Sequence, residues 1–142
     1  MKITQSSLLL TFILFSQASL ASDVNAEKEG KALYITHCSS CHGNTGGMDM
    51  NKRVAPPIVA VRMHYVGSYP DKDAFVMAIA QWLEKQDASQ SLMRGAIRRF
   101  NIMPPISIAQ SDAEKIAAYI FEGDVEKPDG FDKHFNERHG AN

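Results

Sequence analysis

The sequence predicts an all-α fold. Apolar residues recur at spacings of three and four in several stretches, the signature of helices with one buried face. Helix starts and stops punctuate those stretches: capping residues before them, and Gly- and Pro-rich breaks after. No βαβ pattern is visible anywhere in the chain.

The elements follow in order. Asp23 or Asn25 can cap a first helix, with Glu27 and Glu29 favourable in its opening turn. Ala26, Gly30, Leu33, Tyr34 and His37 then share one face, and the helix runs into Cys38-Ser39-Ser40-Cys41-His42. Gly43 to Pro57 contains Gly46-Gly47 and Pro56-Pro57 and reads as loop. Ile58 to Tyr65 is expected to form a short helix. Tyr69-Pro70-Asp71 opens a stronger one, with Phe75, Ile79, Trp82 and Leu83 on its apolar face. Ser89 to Phe100 is expected to be a further helix with Leu92, Ala96, Ile97 and Phe100 inward. Asn101-Ile102-Met103-Pro104-Pro105 cannot continue it, because two prolines remove donors and clash with the preceding turn. Ser111-Asp112-Ala113-Glu114 reads as a capping box for a last helix carrying Ile116, Tyr119 and Ile120, which Gly123 ends. Residues 124–142 are polar and charged, contain Pro128 and Gly130, and are expected to form a mobile tail.

Residues 1–21 read as a secretory signal peptide. Lys2 supplies the positive charge, Leu8 to Phe15 the apolar stretch, and Ser19-Leu20-Ala21 a small-x-small cleavage site. An uncleaved anchor is the competing reading, but a spanning helix needs ~20 apolar residues and this run is far shorter. No cysteine near the cleavage site suggests a lipoprotein. Cleavage leaves about 121 of 142 residues, enough for one domain with a modest core, assigned to residues 22–123 ahead of the tail. It takes only Lys2 from the 15 basic residues, leaving 14 against 16 acidic and a net charge of −2. A nucleic-acid partner would want a basic excess, so that class is set aside.

Cys38 and Cys41 are the only cysteines, and His42 follows them directly. A Cys-x-x-Cys-His run is an attachment site for a c-type haem. Sulfurs three residues apart on one helical turn point the same way. Each can form a thioether to one haem vinyl group, with His42 placed to reach the iron. A thioredoxin-like dithiol would want a βαβ setting. A structural zinc site would need four protein ligands, and no second cysteine pair exists. A plain disulfide closing so short a loop would constrain the chain little. Export agrees with the haem reading.

At this point the chain resembles the class I (mono-haem, cytochrome c-like) family over about residues 26–123. Four matches carry the resemblance: Gly30-x-x-x-Tyr34; Cys38-x-x-Cys41-His42-Gly43; Ala55-Pro56-Pro57-Ile58, with alanine where the family has glycine; and Ile102-Met103-Pro104-Pro105 followed by Ile116-x-x-Tyr119. The resemblance implies a cytochrome c-like helical fold wrapped around one covalent haem c, with the last helix crossing the first. It implies that the Pro56 carbonyl accepts from the second nitrogen of His42, a bond that aims the ring. It implies that Met103 is the sixth iron ligand. The long helical segment from Met63 to Phe100 matches no particular subfamily pattern.

Met103 also has a physical case. It sits in a loop stiffened by two following prolines, between two helices. Met77 and Met93 lie within helical patterns and are expected to be core, as methionine is by default. Met48 and Met50 are weaker candidates, and His64 is the best alternative that is not a methionine. His134 and His139 read as solvated tail residues. Tyr34, Phe75, Trp82, Phe100 and Tyr119 could line the haem or simply fill the core. Arg94, Arg98 and Arg99 form a basic cluster, read as a solvated helix face in preference to a propionate or partner contact. Arg53 carries the same two readings.

Ligation by His42 and Met103 leaves no open iron position, so the expectation is a periplasmic carrier of single electrons between redox partner proteins, not an enzyme and not membrane-spanning once cleaved. Two alternatives stand beside it: a haem enzyme or gas or peroxide sensor with an open sixth site, and a cytochrome subunit of a larger redox complex. Against the former, no distal acid–base pair is evident.

Overall fold

The computed structural model describes the backbone of residues 17–140 and the side chains of residues 25–140. Most of the expected signal peptide, residues 1–16 with Lys2 and the apolar stretch, lies outside the described residues. Among those described there are seven helices: α1 Gln17–His37, α2 Ser39–His42, α3 Ile58–Ser68, α4 Lys72–Glu84, α5 Arg94–Phe100, α6 Gln110–Glu122 and α7 Phe131–His139. The all-α expectation holds.

α1 starts earlier than its caps suggest. Its backbone is helical from Gln17, so positions 23 and 25 lie inside it and not at its start. A capping residue marks a boundary only where the preceding residues leave the helix. Here Gln17-Ala18-Ser19-Leu20-Ala21, at the expected cleavage site, is part of the helix.

α1 and α6 pack against each other across Gly30. A methyl group there would run into the Lys115 carbonyl oxygen and sit 2.9 Å from Tyr119 Cβ. Only glycine permits this approach. One turn on, Tyr34 and Tyr119 meet with ring centroids 5.5 Å apart, both buried. Lys115 and Glu29 bridge the same pair of helices at 2.9 Å, on the surface, where an ion pair contributes little.

α4 packs on the other side of α6. Asp71 caps α4 by accepting from the Ala74 N–H at 3.1 Å, which stabilises the start by ~1 kcal/mol. Phe75, Ile79 and Leu83 are buried as their spacing predicts, and Phe75 reaches Phe121 at 5.2 Å. α3 opens on Pro57, whose locked φ is compatible with that boundary, and buries Ile58, Val59 and Tyr65.

Three expectations fail for identifiable reasons. The helix expected from Ser89 exists only as Arg94–Phe100, and Leu92 is exposed. Asp87 Oδ1 accepts from both the backbone and the hydroxyl of Ser89, and Ser91 Oγ accepts from the Met93 N–H. These short side chains satisfy the backbone outside a helix. The capping box at Ser111 does not form: α6 begins at Gln110, one residue before it, after an extended Ala109. The segment 124–139, expected to be a tail, packs back onto the domain. Val125 and Phe131 are buried in the core, and α7 lies against α3 through Phe135, His139 and His64.

Candidate functional site

The Cys-x-x-Cys-His run forms the single turn α2 directly after α1. The Cys38 N–H donates to the Tyr34 carbonyl at 2.8 Å, so the last turn of α1 delivers the first cysteine. The Cys41 and His42 N–H groups both return to the Cys38 carbonyl, at 3.1 and 2.9 Å. Cys38 is buried and Cys41 exposed. Burial pushes the Cys38 thiol up to about 11, with the neighbouring Cys41 adding to the shift. A redox dithiol needs the opposite, a thiolate favoured near neutrality. Among the described residues no group of three or more His, Cys, Asp or Glu side chains could hold a free metal ion.

His42 Nδ1 lies 2.9 Å from the Pro56 carbonyl oxygen. A carbonyl can only accept, so Nδ1 carries the proton and Nε2 keeps its lone pair. Burial lowers the pKa of His42, opposed by the Pro56 bond and aided by the charge of Arg53. The ring is therefore a neutral imidazole with one nitrogen available as a ligand.

The loop from Gly43 to Pro57 is held by a buried arginine. Arg53, 6% exposed, donates to the carbonyls of Gly43, Thr45, Gly47 and Ala55 at 2.6–3.1 Å. It is buried, contrary to the expectation of a solvated charge. A buried guanidinium is tolerable because four of its five N–H donors are satisfied by carbonyls. The local signal was a lone arginine in a Gly- and Pro-rich loop full of carbonyls that no helix uses.

These elements frame a cavity of about 310 Å³ lined mainly by apolar groups. Cys38, Cys41, His42 and Pro56 line it, and so does Met103 from the proline loop. The residues singled out from the sequence are thus brought to one place. Tyr65, Ile79, Trp82, Ile97 and Phe100 supply apolar surface. Of the aromatic candidates, Trp82 and Phe100 line the cavity, whereas Tyr34, Phe75 and Tyr119 belong to the helix contacts instead. Met93 lines the cavity as well, which its helical reading missed because α5 starts only after it.

The other candidates lie elsewhere. Met77 is 70% exposed, not core. Met63 is exposed, Met48 packs at the core's edge, and Met50 lines a separate surface depression with Arg98 and Arg99. Arg94, Arg98 and Arg99 are exposed on α5, and Arg99 donates to Asn51 Oδ1 at 2.9 Å. His64 does not reach the cavity. It stacks edge-on against His139 at 4.7 Å, and His139 is exposed, as expected of it.

The cavity suits a haem. Two thiols, a neutral imidazole and a thioether are the donor types that such a group takes, and among the described residues no acidic side chain lines the cavity to oppose its propionates or its apolar ring. Its volume is within the range of small-ligand sites.

The family model described as cytochrome C oxidase, cbb3-type, subunit III matches residues 25–120. An uncharacterized protein of Aquifex aeolicus (strain VF5) is 26% identical over 123 residues, covering 77% of this chain and 81% of that protein. No solved structure matches the chain.

Proposed function

This chain belongs to the family described as cytochrome C oxidase, cbb3-type, subunit III, and on that membership we propose an exported electron carrier with one covalent haem c, ligated by His42 and Met103. The family match shows a class I c-type cytochrome-like domain, which supports haem-based electron transfer with redox partners. The observation that supports the finer reading is a shared cavity: His42, with Nδ1 engaged by Pro56, lines the same apolar space as Met103 and both cysteines.

When bound, the haem supplies an iron that takes up and releases one electron. The chain's own residues do the rest. Cys38 and Cys41 would hold the haem, each through a thioether that adds sulfur to one carbon of a vinyl group and the thiol hydrogen to the other. His42 offers Nε2, and the Pro56 carbonyl holds its tautomer and plane. Met103 offers a thioether from a loop that two prolines stiffen. His/Met ligation suits both oxidation states and raises the reduction potential. Tyr65, Ile79 and Trp82 keep water from the site, and their apolar surface disfavours the more positive oxidised state.

We further propose that residues 1–21 are cleaved, that residues 22–123 form the cytochrome domain and that the protein works in the periplasm. No helix among the described residues is long and apolar enough to cross a membrane. Residues 124–142 are assigned as a C-terminal segment that packs back onto the domain through Val125 and Phe131.

A spectrum and an intact mass of the exported protein test this reading. The expected result is one haem retained after denaturation, a Ser22 N-terminus and a methionine–iron band in the ferric protein. Haem lost on denaturation would overturn covalent attachment. Tight carbon monoxide binding by the ferrous protein would favour an open sixth site instead.

A further inference from the structure

The Gly43–Asn44 peptide, one residue beyond His42, is held at both ends by opposite charges. The Gly43 carbonyl accepts from Arg53 Nη2 at 2.6 Å, and the Asn44 N–H of the same peptide donates to Glu126 Oε2 at 2.9 Å. The guanidinium faces the negative end of the peptide dipole and the carboxylate its positive end. Both hydrogen bonds are charge-assisted, the stronger kind.

The carboxylate is brought close by its neighbours. Val125 and Phe131, on either side of it in sequence, are buried, which ties the 124–131 segment to the core. Gly43 leaves the carboxylate its place: a methyl group there would clash with the Ser39 carbonyl and lie 3.3 Å from Glu126 Oε2. Tyr34, which hands the chain to Cys38, packs nearby. Its hydroxyl is buried without a hydrogen-bond partner, and its ionisation is opposed first by burial and next by the charge of Glu126.

We propose that Arg53 and Glu126 are a positioning pair: by clamping the Gly43–Asn44 peptide they aim the His42 imidazole, and they make the 124–131 segment a working part of the haem site. The inference rests on His42 being an iron ligand. Neither residue touches the cavity, so the pair acts through His42. Arg53 contributes from within the loop, and Glu126 reaches it from 82 residues away.

The test compares full-length haem-loaded protein, nitrogen-15 labelled, as wild type, Glu126→Ala, Glu126→Gln, Arg53→Lys and Lys127→Ala. Lys127 pairs with Asp132 and does not touch the loop, so it reports simple loosening of the segment. Two signals are read: exchange of the Asn44 amide, and the His42 ring resonances together with the reduction potential. Glu126→Ala is expected to speed Asn44 exchange about tenfold or more and to move the His42 resonances and the potential. Glu126→Gln, which keeps a neutral acceptor, should restore part of each, and Arg53→Lys should move the same His42 resonances. Lys127→Ala should leave both signals as in wild type. Unchanged His42 resonances and potential in Glu126→Ala would overturn the proposal, as would Lys127→Ala matching it in Asn44 exchange. Wild type without covalent haem would overturn the functional reading instead, and the Asn44 exchange would still decide whether the clamp exists.

Discussion

His42 Nδ1 and the Pro56 carbonyl oxygen meet at 2.9 Å although 14 residues separate them in sequence. One backbone oxygen thus determines which imidazole nitrogen faces the cavity. The loop between them can do this because Arg53 gathers four of its carbonyls around one guanidinium.

Among the described residues two methionines line the cavity, and they separate cleanly by substitution. Met103→Ala should abolish the methionine–iron band of the ferric protein and let the ferrous protein bind carbon monoxide. Met93→Ala should keep the band. The reverse pattern would transfer the ligand role to Met93.

Pro56→Ala keeps the accepting carbonyl but frees the chain that carries it. The expected loss is about 0.4–1 kcal/mol, through the added freedom of the unfolded state. Urea titration should show a lower midpoint with an unchanged slope, and the Nδ1 proton of His42 should still be protected.

Gly30→Val would force α1 and α6 apart at the Lys115 carbonyl. Overpacking of this kind costs about 1–3 kcal/mol, and more where backbone must move. Denaturant unfolding measures it. A value near zero would mean that the crossing is looser than the geometry states.

Phe131→Ala tests whether residues 124–139 belong to the folded unit. Phe131 is 3% exposed, and truncating a buried phenylalanine costs about 3–5 kcal/mol. A mobile tail would lose nothing.

Acidification should loosen α7. Burial, reinforced by the charge of His139, holds His64 below its ordinary pKa. The unfolded chain therefore binds that proton more readily than the folded one. The contribution to stability is full above about pH 6.5, the ordinary histidine value, and is lost as the pH falls from there through the lowered folded value. Amide protection factors along α7, taken relative to the intrinsic exchange rate at each pH, should fall between pH 7.5 and 5 in wild type and lose that dependence in His64→Phe.

Much of this was legible in the residues. α4 could be read because Phe75, Ile79 and Leu83 repeat at helical spacing over three turns and Asp71 caps them. The motif turn could be read because its chemistry is local. What failed depended on contacts distant in sequence or on short polar side chains. Asp87, Ser89 and Ser91 bond the backbone outside a helix, and nothing in the apolar pattern of 89–100 records that competition. Val125 and Phe131 are single apolar residues in a polar segment, with no period to announce that the core needs them. The role of Arg53 was hidden because an arginine is ordinarily a surface residue.

The bond between Asn44 and Glu126 closes a loop of 82 residues, and that has a kinetic meaning. The Cys-x-x-Cys-His turn can form early, from neighbours on α1, as soon as that stretch leaves the ribosome. Its clamp cannot, because it waits for Glu126 to be synthesised and for a long closure whose entropy must be met by the packing of Val125 and Phe131. On the proposed export route, the motif turn would therefore form before residues 124–131 dock, and the bond to Glu126 would close last.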